Sequence, residues 1–183
     1  MQVYAVLYDP NNNVLIAQKR ASNRFWQGKV QHNGKTSVNQ AGQFCLPGGG
    51  LEPTDGMKLD IAAGARREFK EETGVTIDRC PNRHIQPFKE DGCEYAMALF
   101  EYPNIAALAW IINVNLQPRT TDAQAPAGTG ITDWELSSVR AVPVRDVGLY
   151  LGRQQGKALH GHRHAINWYA TMAASLPSLL THR

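Results

Sequence analysis

The chain has 183 residues and a formal net charge of +3. One domain with a sizeable core accommodates that length, and the charge is too mild to call for a nucleic-acid partner. Its three cysteines, Cys45, Cys80 and Cys93, have no disulfide or zinc-ligand spacing, and the longest apolar run, Ile105 to Ile112, falls far short of the roughly 20 residues of a membrane helix. Met1 leads at once into strand-like residues rather than a secretory leader, so a cytoplasmic protein with no membrane contact is expected.

Val3 to Tyr8 is apolar on both faces, the pattern of a buried strand. Asp9 to Asn13 reads as a turn and Val14 to Gln18 as the returning strand of a hairpin. Residues 24–43 are polar and contain Gly28, Gly34 and Gly42, which predicts an extended loop or loose hairpin. Such a segment either covers a bound substrate or is an inert insertion, and composition leaves both open. Phe44 to Leu46 reads as a short strand, followed by Pro47-Gly48-Gly49-Gly50 as a tight turn.

A helix follows. Asp60 stands before an apolar-periodic run as its N-cap, and Gly74 suits the left-handed position that ends many helices. One stripe holds Ile61, Ala62, Ala65 and Phe69; the other holds Glu68, Glu71 and Glu72 at i, i+3 and i+4. Carboxylates crowded in this way repel one another at neutral pH. A solvated face tolerates that repulsion, whereas a site for a hard divalent cation uses it; the spacing alone fits either.

Beyond the helix, Val75 to Ile77 and His84 to Phe88 read as short strands, Lys89 to Gly92 as a turn and Glu94 to Tyr102 as a strand. Ile105 to Val114 is helical, Thr120 to Gly130 a loop, and Trp134 to Val144 contains a further strand. A final helix is expected at about residues 163–175, with an apolar stripe at Ile166, Tyr169, Ala170 and Ala173. Nothing divides the chain, which predicts a single domain over residues 1–183. His160, His162 and His164 alternate in a way that matches a polar helix start rather than a ligand pattern. Tryptophans belong mostly to cores, so only Phe25 and Trp26 are nominated to stack a nucleobase. Glu90, Asp91 and Glu94 are candidates for a further carboxylate at the site.

Leu46 to Val75 resembles the Nudix box, G-x5-E-x7-R-E-U-x-E-E-x-G-U with U bulky and apolar. Gly49 fits the first glycine, and Arg67-Glu68-Phe69-Lys70-Glu71-Glu72-Thr73-Gly74-Val75 fits the second half at every fixed position. The resemblance implies an α/β fold, the Nudix-type α/β/α sandwich around a mixed β-sheet. It implies Mg²⁺ or Mn²⁺ held by Glu68, Glu71, Glu72 and a glycine carbonyl near Gly48, with Arg67 orienting the carboxylates and Glu68 the first choice of general base. Gly49 and Gly50 would line the substrate. The reaction implied is hydrolysis of a phosphoanhydride in a small nucleoside diphosphate derivative, and a homodimer is left open. The spacing departs from the box at one place, where eleven residues separate Asp55 from Arg67 instead of seven. Asp55 is the expected partner of Arg67 if the extra residues bulge as a loop, with Glu52 next in line. That departure keeps two alternatives in view: a binding or regulatory module without turnover, and a diphosphate isomerase on the same fold.

Overall fold

The computed structural model describes residues 1–23, 25–26, 29–30, 36–38, 41–53, 60–90, 92–117, 128–151 and 174–180. In chain order the first strands are β1 (Gln2–Tyr8), β2 (Asn13–Lys19), β3 (Ser22–Asn23), β4 (Phe25–Trp26), β5 (Lys29–Val30), β6 (Thr36–Ser37), β7 (Phe44–Cys45) and β8 (Gly48–Gly50). Helix α1 (Ile61–Thr73), strands β9 (Asn82–Glu90) and β10 (Cys93–Glu101), helix α2 (Ile105–Leu116) and strand β11 (Leu136–Pro143) follow. A 3-10 turn, Val144–Asp146, leads into α3 (Val147–Leu151), and residues 174–180 form α4.

β1 is the axis of a seven-stranded mixed sheet ordered β11-β2-β1-β10-β9. It lies parallel to β10 from Gln2↔Tyr95 to Tyr8↔Glu101. Its other edge is shared: β8 pairs antiparallel with Gln2–Tyr4, and β2 joins at Tyr8↔Val14. Val3 to Tyr8 is buried at every position, so both faces of the strand are covered, as its unbroken apolar run predicts. α1 packs over β1, β8 and β10, and α2 over β11 and β2. The mixed α/β architecture is as expected.

Local chemistry sets the helix ends. The Asp60 carboxylate accepts from the N–H groups of Ala62 (2.8 Å) and Ala63 (3.2 Å), and Gly74 closes α1 at φ 72° with its N–H on Lys70 O. A side chain at Gly74 would also collide with Thr129 O, so the glycine serves the cap and the packing of the next loop. At α2, Asn104 Oδ1 accepts from Ala107 N–H at 2.9 Å. Buried Asp9 joins the β1–β2 turn to this helix: its carboxylate accepts from Asn11 N–H (2.9 Å), Asn13 N–H (3.0 Å) and Ile105 N–H (3.1 Å).

Several expectations are corrected. Gly48–Gly50 is a strand rather than a tight turn, extended along the start of β1. Val75 to Ile77 carries no strand; the chain runs on from the Gly74 cap without a ladder partner assigned there. β9 extends through Glu90, which shortens the expected turn before β10. α2 is apolar on its outer side too, leaving Trp110 70% exposed with Ile111 and Val114 beside it, whereas Trp134 is buried. In the polar stretch, β3 pairs with β6 and β4 with β5, as a loose hairpin would. The final helix expected at 163–175 lies outside the described residues except at 174–175, which open α4. His160, His162 and His164 lie outside them too. No helix among the described residues is long and apolar enough to cross a membrane.

Candidate active site

Glu68 and Glu72 lie one turn apart on α1, on the side that meets β8, and both are buried. Gly48 N–H donates to Glu72 Oε2 at 2.8 Å. At Gly49 an added Cβ would stand 2.5 Å from Glu68 Oε2, so the Glu68 carboxylate rests against a bare backbone. Gly49 therefore makes room for Glu68, while a side chain at Gly48 would collide with Val3 O and Tyr4 of β1.

Arg67 braces the outer side. Its Nη1 is 3.0 Å from Glu71 Oε2, 3.1 Å from Glu68 Oε1 and 3.8 Å from Glu52 Oε1, while Nη2 donates to Gly50 O at 2.7 Å. The fork geometry of a guanidinium suits this shared grip on two carboxylates and a backbone oxygen. Glu52, the reserve partner expected from sequence, is thus within ion-pair reach. Asp55 and the extra residues of the box lie outside the described residues, although Asp60 as N-cap shows that the helix itself starts only at Ile61.

The segment leading into β11 closes the other side. Thr132 and Asp133 both donate their N–H groups to Glu71 O at 3.0 Å, which pins this segment to α1. Asp133 Oδ1 is buried with no hydrogen-bond partner among the described residues. Glu135 is ion-paired with Lys19 at the end of β2. The acids Glu68, Glu71, Glu72, Asp133 and Glu135 so gather around two cations, Lys19 and Arg67.

Titration reflects the crowding. Burial, and then the Glu71 charge, raise Glu68 to about 7 against the pull of Arg67. Burial and the neighbouring Glu135 charge raise Asp133 to about 7, with Lys19 opposing. Glu72 is pushed well above the usual carboxylate range by burial, which the Lys19 charge only partly offsets against Asp133 and Glu135. An all-oxygen donor set with surplus negative charge and an unpartnered buried oxygen fits a hard divalent cation. The carboxylates are held by Arg67 and Gly48 N–H, and among the described residues no three His, Cys, Asp or Glu side chains form a ready-made ligand cage.

Phe25 and Trp26 lie on β4, paired with β5, and their side chains are outside the description. Gly50 is exposed, with its carbonyl taken by Arg67. Glu94 is exposed and 3.7 Å from Lys89, and Asp91 lies outside the described residues. Lys19, Asp133 and Glu135 were not anticipated. The one available signal was an Asp-Trp-Glu run opening the stretch, Trp134 to Val144, expected to contain a strand.

The sequence matches the family described as NUDIX domain over residues 1–169. No curated protein matches the sequence. Among solved structures, the chain is similar to a C. elegans Ap4A hydrolase in a binary complex, at 13% identity over 100% of both chains and a TM-score of 0.53. It is also similar to a mutT/nudix family protein from Listeria innocua, at 14% identity over 98% of this chain and 92% of that one, with a TM-score of 0.54. Both likenesses are of fold. With the family match spanning most of its length and the REFKEETGV segment carrying the acids just described, the chain belongs to the NUDIX family.

Proposed function

We propose that the protein hydrolyses a phosphoanhydride bond in a nucleoside diphosphate linked to another moiety, using Mg²⁺ or Mn²⁺. One observation carries this reading: Glu68 and Glu72 are buried one turn apart on α1 against the β8 backbone, and the buried Asp133 Oδ1 has no hydrogen-bond partner among the described residues. A fold that buries surplus negative charge in one place has a use for a cation there. Glu68, Glu71 and Glu72 would hold it, with Asp133 from the facing segment and a carbonyl near Gly48. When bound, the cation neutralises pyrophosphate charge and lowers the pKa of an attacking water.

The protein's own groups divide the remaining work. Glu68 is the first choice to accept the water proton instead of holding the cation; in the metal-free chain burial raises its carboxyl to about 7. Arg67 orients Glu68 and Glu71. Gly49 makes room for Glu68, and with the exposed Gly50 it would border the substrate. Phe25 and Trp26 are proposed to stack the base, and Asp55 to support Arg67. The similarity to an Ap4A hydrolase concerns fold, so the group beyond the diphosphate is open. A small-molecule substrate, a cytoplasmic location and a homodimer belong to the same reading, the location supported by three free cysteines.

A specific observation favours the binding-module alternative: eleven residues separate Asp55 from Arg67 where the box has seven. One experiment separates the two. The chain is incubated with Mg²⁺ and nucleoside triphosphates, ADP-ribose, dinucleoside polyphosphates and sugar nucleotides, and phosphate or nucleotide release is measured. Turnover of at least one class that is lost in Glu72→Gln supports hydrolysis. Tight binding of a compound without release from any makes the protein a binding module.

A further inference from the structure

Lys19 sits where β2 ends, and its backbone is fixed on both edges. Across the ladder it faces Leu136 of β11; on the other side its N–H donates to Gln43 O at 2.8 Å, and its carbonyl accepts from Gly42 N–H at 3.2 Å. The side chain is only 12% exposed, and its ammonium bonds Glu135. Glu135 follows two residues after Asp133, whose N–H donates to Glu71 O at 3.0 Å, so the ion pair anchors the segment that is pinned to α1. Arg67 works from the other side of the cluster, on Glu52, Glu68 and Glu71. The acids are thereby divided between a half-open guanidinium and an enclosed ammonium.

We propose that Lys19 is a positioning residue of this site: a fixed internal counter-charge that holds Glu135, and with it the segment through Asp133 that is pinned to α1, before any metal arrives. The proposal rests on the hydrolase reading for its purpose, but its physical content can be tested without turnover. A buried charge that loses its partner is costly, whereas removing both partners relieves the loss. An enclosed ammonium also opposes entry of a second cation, so it sets how strongly the site attracts metal. Lys19 and the metal then share one task, and deleting the lysine transfers that task to the metal.

The test has two arms. In the first, melting temperatures of the metal-free chain are compared for wild type, Lys19→Met, Glu135→Gln and the double variant. Lys19→Met is expected to lower the melting temperature most, and the double variant to recover at least half of that loss. Losses that simply add, or a double variant that fails to fold, overturn the proposal; a double variant that folds where Lys19→Met does not supports it. In the second arm, Mn²⁺ binding is measured by calorimetry. Lys19→Met should bind Mn²⁺ about tenfold more tightly, a change of about 1.4 kcal/mol, with Lys19→Arg within about twofold of wild type. Unchanged or weaker Mn²⁺ binding in Lys19→Met overturns the counter-charge role. Failure of the hydrolase reading shows separately, as absence of release by wild type in the substrate screen.

Discussion

Two regions of this molecule bury carboxylates along the same strand and treat them in opposite ways. Beyond the C-terminal end of β1, Asp9 is met by the N–H groups of Asn11, Asn13 and Ile105 and by the Asn13 side chain. Burial pushes its pKa up, yet those donors outweigh burial and hold it below the ordinary value. Beside the start of β1, Glu68 and Glu72 are buried and Asp133 half-buried, with fewer donors and other carboxylates close by, and all three are raised. Burial alone therefore does not decide which way a carboxyl shifts. The supply of donors does: where the fold provides them the acid is held low and acts as a clip, and where it provides few the acid is held high.

The sharpest way to break the contrast is to neutralise one acid at each end. Glu68→Gln should lower kcat about 10² to 10⁴-fold with little change in melting temperature, the range lost with a general base. Release assays and a thermal melt check both halves. Asp9→Ala should do the reverse, destabilising the fold by about 3 kcal/mol because buried N–H groups lose their acceptor. Its kcat per folded molecule should stay near wild type; a matching fall in kcat would erase the distinction.

The pH dependence of the metal-free chain sharpens it further. A carboxyl raised in the folded state holds a proton that the unfolded chain has released, so folding weakens as pH climbs between the two values. For Glu68 that window runs from 4.5 to about 7, and Asp133 works in the same direction up to about 7. Melting temperature should therefore fall from pH 5 to 7, and added Mn²⁺ should restore part of the loss at pH 7. Asp9 has the opposite sign: its stabilisation is complete above the ordinary value of 3.8 and is lost as pH drops through its lower folded value. A melting temperature that rises from pH 5 to 7 without metal would contradict the raised acids. The smallest expected effect is Asp60→Ala, about 1 kcal/mol of stability from loss of a cap, read by denaturant titration.

The helix bearing the acids was legible because its signals are local. Asp60, the 3.6-residue periodicity and Gly74 all fall within fifteen residues, and each has one physical meaning there. β1 and β2 were legible as unbroken apolar runs. β8 was not, since three glycines carry no side-chain pattern and turn preference was the stronger guide; in its ladder with β1, a side chain at Gly48 would collide with Val3 O and Tyr4, and one at Gly49 with Glu68. Lys19, Asp133 and Glu135 were invisible for another reason. They reach the box through the β2–β11 register, which joins residues more than a hundred positions apart, and no spacing rule spans that distance. Trp110 misled because α2 is apolar all round, so composition gave no clue to which side faces out.

The pairing of β1 has a consequence for how the chain is made. Only Tyr8↔Val14 ties this strand to its hairpin neighbour; its main partner, β10, begins 85 positions after Tyr8, at Cys93. At the pace of synthesis, about 5–20 residues per second, the apolar segment Val3 to Tyr8 waits roughly 4–17 s with an edge unpaired. During that interval it is a template for pairing with other nascent chains, the hazard every unprotected strand edge carries. Closing so long a loop also delays the sheet after release, because its entropy is spent before the parallel ladder returns anything. Val3 to Tyr8 is thus the segment most exposed to wrong pairing while the chain is being made.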